Sequence, residues 1–512
     1  MTAQAKTGSG RWARFALGMP LALYIASAAA FLAHSAHVRD DFPLDDAWIH
    51  QVYARSLAHG QGFAYNEGRQ ETGATSPLWA VACAPAHWLA AAAGPETLPW
   101  GVKALGLVLG GVSVALVFGI VARALGSPWA GALAATIVAT EPRFMFSALS
   151  GMETALLLVL WLGAVASGQR GRARLATALA GLMPLVRPEA AIVLVVAAAG
   201  WVVLARGRTL AWRDPWALPL LLGPGVAWAL FCTSVSGHWL PNTYYLKAQP
   251  FALDLGRLAT AWRQVAQFGW TGGIACAVGL AGFAWWLAAR RDREAAWLGG
   301  LLALAPATYA LGVVGSREII ANGYYWSRWL DPPALVLAVT CGAGLAALAV
   351  GAKELASGRI PQLALRTAVA LALAVSLPGV GASWAERRER LATDGRAIRK
   401  MNVEPALWVA ANVPPDAVVG VNDAGAFRLF GEHWTIDLNG LNNYDIAFHR
   451  ISPREVLARL DWIAVFPSWF ESSGLLRFFE SARTFQMPVT EYTICDCPGQ
   501  TTVVVGRKIR SP

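Results

Sequence analysis

Charged residues are scarce in this chain, and that scarcity decides its broad class. Asp, Glu, Lys and Arg make up 14% of the 512 residues, whereas hydrophobic residues make up 56%. A soluble domain has about 25% charged residues, so this chain has too few charges to cover a surface that faces water everywhere. The composition excludes an ordinary soluble enzyme and predicts an α-helical polytopic membrane protein.

Cysteine is scarce too. Six cysteines are too few for a disulfide framework in a chain of this length. Four lie in or beside apolar runs, where we expect them to pack as small hydrophobic residues: Cys83, Cys232, Cys276 and Cys341. The other two form Cys495-Asp496-Cys497, too tightly spaced for an ordinary disulfide with itself. This pair is either free or bonded elsewhere, and it is a weak metal motif because no second ligand pair accompanies it.

The net charge of +10 does not indicate nucleic-acid binding. Lys and Arg occur in short clusters between apolar runs, which is typical of cytoplasmic loops. These clusters are 170–174, 206–213, 290–293 and 353–366. Basic residues also precede the apolar run 15–33, which we interpret as an uncleaved first span. The pattern predicts a multi-pass protein of the plasma (inner) membrane with a cytoplasmic N-terminus.

Alternation between the two faces of the membrane predicts about 11 transmembrane helices. The segments that this pattern places on the outer face are 34–75, 151–153, 187–189, 236–269, 315–327 and the chain after about 384. One apolar segment, 76–93, does not fit the alternation. We expect it to form a re-entrant or surface-lying helix.

The last quarter of the chain has a different composition. After a polar stretch at 384–390, short β-branched runs at 417–421, 434–438 and 501–505 are separated by turn residues, which predicts strands. We therefore predict two domains. Residues 1–383 form the transmembrane domain, and residues 384–512 form a small soluble extracytoplasmic α/β domain.

Four carboxylates stand within seven residues just after the first apolar run: Asp40, Asp41, Asp45 and Asp46. Ionisable groups at the mouth of a membrane span are costly and usually functional. A helix suited to the membrane interface follows at 47–60, and one Asp could simply cap it. Capping explains one carboxylate and not four, so Asp45 and Asp46 are candidate functional residues, whereas Asp40 and Asp41 need no function.

Further charged residues fall on the same predicted outer face. Glu153 could begin a helix, and Lys247 could anchor its loop at the interface. Arg187 and Glu189 flank a proline between two very short apolar segments. We expect them to line a wet cavity, either as a local ion pair or as a phosphate clamp. Arg328 lies beside another span end.

Taken in order, these segments resemble the GT-C type membrane glycosyltransferases that use polyprenyl-phosphate-linked sugars. Within that group they are most similar to the branch of the terminal arabinofuranosyltransferases. The stretches that carry the resemblance are Asp45-Asp46-Ala47-Trp48-Ile49, Tyr53-Ala54-Arg55-Ser56-Leu57, Gly60-Gln61-Gly62, Tyr65-Asn66, Thr75-Ser76-Pro77-Leu78-Trp79, Gly151-Met152-Glu153-Thr154, Arg187-Pro188-Glu189, Leu240 to Lys247 and Asn422 to Ala426. A departure at Ala47 to His50, where relatives more often carry a smaller residue or tyrosine after the alanine, bears on acceptor selectivity.

The resemblance implies transfer of a sugar from a polyprenyl-phosphate donor to an acceptor hydroxyl on the outer face, with inversion, in cell-envelope glycan synthesis. It implies outer loop 34–75 as the catalytic loop and Asp45 as the general base, with Asp46 as second candidate. The cations assigned to the donor phosphate are Arg187, Lys247 and Arg328. The residues assigned to sugar or acceptor binding are Glu153, Glu189, Trp48, Tyr244 and Asn242.

Two other functions remain open at the level of sequence. A transporter or flippase for lipid-linked sugars would place its charges near the membrane midplane, often in inverted repeats. A binding module or sensor would use the spans only as an anchor, for which about 11 are excessive. The expected partners are the lipid bilayer, the lipid-linked donor and a glycan or lipid-linked acceptor. The identity of the sugar and the use of a divalent cation are undecided.

Overall fold

The computed structural model describes most of the chain. The described residues are 4–196, 199, 214–266, 269–290, 292–316, 328–350, 362–494 and 500–509. Four features singled out in the sequence lie wholly or largely outside them: the basic clusters 206–213 and 353–366, the segment 315–327 and Cys495-Asp496-Cys497.

The described chain is mainly helical. The helices before residue 200 are α1 (Gln4–Leu32), α2 (Ala36–Asp40), α3 (Asp45–Ala58), α4 (Pro77–Ala93), α5 (Leu98–Leu125), α6 (Pro128–Ala139), α7 (Pro142–Leu149), α8 (Thr154–Gln169) and α9 (Ala173–Leu182). Those that follow up to residue 400 are α10 (Ala217–Ser236), α11 (Asn242–Lys247), α12 (Leu255–Ala266), α13 (Ile274–Arg290), α14 (Arg293–Gly299), α15 (Ala305–Ser316), α16 (Asp331–Val350) and α17 (Gln362–Ile398). The short helices of the C-terminal region are α18 (Glu404–Asn412), α19 (Ala426–Gly431), α20 (Tyr444–Ala447) and α21 (Pro453–Arg459).

Several of these helices can cross a membrane. Six stretches of the described chain are long and apolar enough: Trp12–Leu32, Pro95–Leu125, Ala217–Ser236, Arg293–Ser316, Arg328–Val350 and Gln362–Asn412. The pair α7 and α8 makes a seventh if it is one bent span, and four shorter apolar helices accompany them. The predicted multi-pass membrane class is confirmed, while the number of about 11 spans stays a prediction. Segment 76–93 forms α4, and whether it spans the membrane is equally untested.

The break between α7 and α8 positions a functional residue. The two helices meet at 117°, and Gly151 between them has φ +77°. A Cβ at Gly151 would lie 2.7 Å from the ring of Phe42, so glycine is required both by the backbone and by the space. Its carbonyl accepts a 3.0 Å hydrogen bond from the Trp79 indole. The break thus holds Glu153, which directly precedes α8, at the end of the bundle near the sheet domain.

The C-terminal region contains the predicted small α/β domain. Its strands are β3 (Val418–Val421), β4 (Trp434–Asp437), β5 (Trp462–Val465), β6 (Phe479–Gln486) and β7 (Thr502–Lys508), and β1 (Ala64–Asn66) and β2 (Arg69–Gln70) form a separate hairpin. The sheet has the order β4-β3-β5-β7-β6, with β3 parallel to β4 and β5 and the β7 pairings antiparallel. Helix α17 runs through residue 384 without a break, so the domain boundary placed there stays a prediction.

The sheet domain packs directly on the loop that follows α1. Arg55 on α3 donates a 2.9 Å hydrogen bond to the Leu429 carbonyl, and Tyr65 donates one of 2.7 Å to the Ala424 carbonyl. Helix α3 is consequently buried, with Tyr53 fully enclosed. The sheet domain covers its aromatic positions Trp48 and Tyr53, so these side chains pack inside the protein, while the place of α3 at the membrane interface stays a prediction.

Candidate active site

A cavity of about 650 Å³ lies at the end of the bundle that carries the sheet domain. Its walls come from α3, from the α7–α8 break, from the turn at Arg187–Glu189, from segment 243–251 and from the sheet-domain loop at 441–442. These elements are far apart in the sequence. The cavity therefore exists only when the membrane helices and the sheet domain have assembled.

Asp46 lies in the first turn of α3 and lines this cavity. Its carboxylate accepts a hydrogen bond from the guanidinium of Arg328. Burial alone would raise the pKa of Asp46, but the positive charges of Arg328 and Lys247 outweigh it and hold the pKa well below the ordinary value. The site therefore presents an ionised carboxylate next to cations.

Asp45, the first candidate for the general base, lies elsewhere. Its two carboxylate oxygens accept hydrogen bonds from the backbone N–H groups of Gly425 and Ala426, at 2.7 and 2.9 Å. Burial and the nearby Asp423 carboxylate raise its pKa well above the ordinary value. Since successive residues of an α-helix point about 100° apart, Asp45 faces the sheet domain while Asp46 faces the cavity. Asp45 joins the two domains and does not line the cavity.

A chain of charged contacts forms the opposite wall. Arg187 Nε lies 3.5 Å from Glu153 Oε1 and 3.9 Å from Glu189 Oε2. On the other side of Glu153, its Oε2 lies 3.3 Å from His50 Nε2. Because His50 is one helical turn after Asp46, both side chains reach the same cavity from α3. The sequence interpretation missed His50 as a site residue, although its i, i+4 spacing from Asp46 was a signal for it.

Helix α11 contributes two of the predicted residues. Tyr244 and Lys247, three residues apart on one helical face, line the cavity together with Thr243. Asn242 is fully buried below them, and its Oδ1 accepts a 2.5 Å hydrogen bond from Thr72. Asn242 thus fixes the loop to the helix and does not line the cavity.

Seven of the ten predicted site residues meet in this cavity. They are Asp46, Glu153, Arg187, Glu189, Tyr244, Lys247 and Arg328. Asp45 and Asn242 support the walls from behind. Trp48 lies on the other side of α3, with its ring 4.9 Å from that of Phe430.

The arrangement of bundle, cavity and sheet domain matches solved membrane glycosyltransferases. ArnT from Cupriavidus metallidurans, solved with undecaprenyl phosphate, superposes with a TM-score of 0.59 at 14% identity, over 97% of this chain and 98% of that chain. The archaeal oligosaccharyltransferase AglB from Archaeoglobus fulgidus, solved with an inhibitory peptide and a dolichol-phosphate, superposes with a TM-score of 0.55 at 12% identity, over 95% and 75%. This chain has the GT-C fold.

The sequence comparisons are less informative. Residues 392–505 match a family model described as a domain of unknown function, DUF8728. The search among curated proteins finds no match. The arabinofuranosyltransferase AftD from Mycobacteria superposes with a TM-score of 0.48 at 15% identity, over 98% of this chain and 40% of that chain. The GT-C resemblance read from the motifs is confirmed as a fold, and the particular branch stays a prediction.

Several cavity residues of this GT-C fold were not predicted. Gln249, Trp329 and Asn442 line it beside the predicted residues. Behind Arg187 and Arg328, Arg143 and Asp331 form a buried ion pair, and Ser147 donates a 3.1 Å hydrogen bond to the same carboxylate. No sequence motif includes these residues, although Trp329 directly follows Arg328 and Gln249 lies two residues after Lys247.

The cavity does not decide the use of a metal. Among the residues that the structure describes, no group of three or more His, Cys, Asp or Glu side chains is arranged to hold a metal ion. Asp46 is already paired with Arg328, and Glu153 with Arg187. A divalent cation would have to use ligands from the substrate as well, as Mg²⁺ commonly does.

Proposed function

We propose that this chain is a membrane glycosyltransferase that moves a sugar from a polyprenyl-phosphate donor to an acceptor hydroxyl, in cell-envelope glycan synthesis at the outer face of the plasma membrane. The observation that carries the proposal is the cavity lined by the Asp46 carboxylate and by three cations, Arg187, Lys247 and Arg328. The GT-C fold supports it, and so do the lipid phosphates bound to ArnT and AglB.

The cations suit the leaving group. As the bond between the anomeric carbon and the phosphate oxygen breaks, negative charge collects on the lipid phosphate, and donors placed around it stabilise that charge. Arg187 and Arg328 offer planar guanidinium groups that can each bind two phosphate oxygens, and Lys247 adds a point charge. Apolar cavity residues such as Ile192 and Phe251 suit the first isoprene units of the lipid.

The carboxylate suits the acceptor. A hydroxyl is a weak nucleophile, so a base within hydrogen-bond reach is needed to take its proton. Asp46 is ionised and lines the cavity, so we assign the base to Asp46 and no longer to Asp45. The acceptor oxygen attacks the anomeric carbon, the proton goes to Asp46, and polyprenyl phosphate leaves with the bonding electron pair. One such displacement inverts the anomeric centre.

The remaining walls suit sugar recognition. Glu153 and Glu189 can accept hydrogen bonds from sugar hydroxyls while they hold Arg187 in place. Tyr244 offers an aromatic face with a polar end. The sheet domain supplies the rim at Leu441 and Asn442, so we propose that residues 384–512 shape the acceptor side of the cavity.

The test is transfer of radiolabelled sugar from a panel of polyprenyl-phosphate donors by the purified protein in lipid nanodiscs. We expect Asp46→Asn to lose about a hundredfold or more of the rate, as removal of a general base predicts. Asp45→Asn should lose less of the rate than Asp46→Asn, because Asp45 lies outside the cavity and acts only through its contact with the sheet domain. Glu480→Gln, on the exposed face of β6, is the control for the loss of any carboxylate.

Two results would contradict this assignment. Equal rates for wild type and Asp46→Asn would show that Asp46 is not the general base. No transfer with any donor, together with movement of the same lipids between the membrane leaflets, would favour the transporter.

A further inference from the structure

A second cavity of about 660 Å³ lies on the other side of α3 from the candidate active site. Trp48 lines it, whereas Asp46 and His50 line the first cavity. An α-helix with its side chains is about 10–12 Å across. A single helix therefore separates the two cavities.

Aromatic side chains form part of its wall. Trp100, at the beginning of α5, is 44% exposed, and Phe430 of the sheet domain packs edge-on against Trp48. The indole N–H of Trp48 is buried and has no hydrogen-bond partner among the described residues. The membrane domain and the sheet domain therefore both contribute rings to one cavity.

Carboxylates stand among these rings. Asp40 accepts a 3.1 Å hydrogen bond from the Trp100 indole, and Glu96 lies exposed beside it on the same wall. The buried Asp41 is held by Arg399, 3.0 Å from its Oδ1, and by His37, 2.7 Å from its Oδ2. The ionisable side chains of this wall are three carboxylates, the guanidinium of Arg399 and the imidazole of His37, and both basic groups are paired with Asp41.

This composition selects among ligands. A phosphate is disfavoured because Arg399 and His37 are both engaged by Asp41, while Asp40 and Glu96 repel anions. An acyl chain is disfavoured because it would desolvate the carboxylates. A carbohydrate satisfies both halves of the wall, since its C–H face can lie on an aromatic ring and its hydroxyls can donate charge-assisted hydrogen bonds to carboxylates. The volume is that of an ordinary small-ligand site.

We propose that this second cavity binds a sugar residue of the acceptor, so that the acceptor is a glycan chain and not a single sugar on a lipid. The proposal rests on the proposed glycosyl transfer at the first cavity. A chain of several sugars would place its reacting end beside Asp46 and an earlier residue beside Trp100. Helix α3 would then set the distance between the bound residue and the reacting hydroxyl.

The first measurement is direct binding, which does not depend on transfer. Neutral pentose and hexose oligosaccharides are titrated into the full-length protein in nanodiscs by calorimetry, with wild type, Trp100→Ala, Trp100→Phe and Trp434→Ala compared. Trp434, on β4 of the sheet domain, has the same 44% exposure and is the matched control. We expect about a three- to tenfold weaker affinity for Trp100→Ala, the size typical of a lost ring contact, and nearly full affinity for Trp100→Phe and Trp434→Ala.

The second measurement is transfer. With oligosaccharide acceptors, Trp100→Ala should raise the acceptor KM by the same factor and leave kcat unchanged, while a single-sugar acceptor should show no difference. Oligosaccharide binding without any transfer by wild type would contradict the proposed glycosyl transfer but not the proposed sugar site in the second cavity. Absence of oligosaccharide binding, or equal binding by Trp100→Ala and wild type, would overturn the site and make Trp100 an anchor at the membrane interface.

Discussion

Asp46 and Arg328 form an ion pair inside the cavity although 282 positions separate them in the sequence. The pair sets the protonation of the proposed base before any substrate binds. A donor phosphate would compete with Asp46 for the guanidinium of Arg328, so donor binding and the basicity of Asp46 are coupled. The first two predictions follow from this relationship.

Replacing Arg328 should weaken donor binding. We expect Arg328→Gln to raise the donor KM by about tenfold to a hundredfold, the size of a lost hydrogen bond to a charged group. Arg328→Lys should recover part of the loss, since it keeps the charge without the planar fork. Arg459→Gln, exposed at the end of α21, controls for the change in net charge. An unchanged donor KM in Arg328→Gln would show that Arg328 does not bind the donor phosphate.

The acid limb of the pH profile should depend on the donor. The cations hold the pKa of Asp46 well below its ordinary value in the free protein. A bound phosphate neutralises these cations and so raises the pKa of Asp46. As the medium is acidified, Asp46 is then protonated, and lost as a base, at a higher pH with donor bound than without it. Initial-rate profiles should therefore show the acid limb of kcat at higher pH than that of kcat/KM for the donor. Coincident limbs would show that the donor does not touch the cations of Asp46.

Gly425 should tolerate no side chain. A Cβ there would lie 2.8 Å from the Ile49 backbone nitrogen and would push against the Asp45 carboxylate. We expect Gly425→Ala to lower the free energy of unfolding by about 1–3 kcal/mol, as overpacking does, and to reduce transfer because the sheet domain leaves α3. Thermal unfolding in detergent measures this. Gly381→Ala, where nothing lies within 4 Å, is the matched control and should not destabilise the protein.

Glu71 should make the protein less stable at higher pH. Burial raises its pKa from 4.5 to about 8, against the opposing effects of Arg69 and of the hydrogen bond from the Tyr444 N–H. Between these two values the folded state binds more protons than the unfolded state, so the contribution of Glu71 to stability falls as pH rises through the interval and levels off above about 8. Glu71→Gln should flatten the dependence of Tm on pH in this window. A slope equal to that of wild type would mean that Glu71 titrates normally.

The sequence was sufficient for the class of the protein. Scarce charges and long apolar runs required a membrane, and the order of short motifs predicted the GT-C fold and the presence of a C-terminal α/β domain. The predicted strands at 417–421, 434–438 and 501–505 correspond to β3, β4 and β7, because β-branched runs between turn residues carry a local signal. β5 and β6 were missed, since Trp462–Val465 is only four residues long and Phe479–Gln486 is mostly polar.

The sequence also indicated which charges would collect at one end of the bundle. It could not decide between neighbours on one helix. Asp45 and Asp46 are adjacent and chemically identical, and their roles differ because Gly425 and Ala426, about 380 positions away, offer backbone N–H groups to only one of them. Trp48 and His50 diverge for the same reason, since each points to the side of α3 that a different distant segment covers. Composition and motif order determined the fold and the kind of chemistry, whereas long-range packing decided which atoms face the cavity.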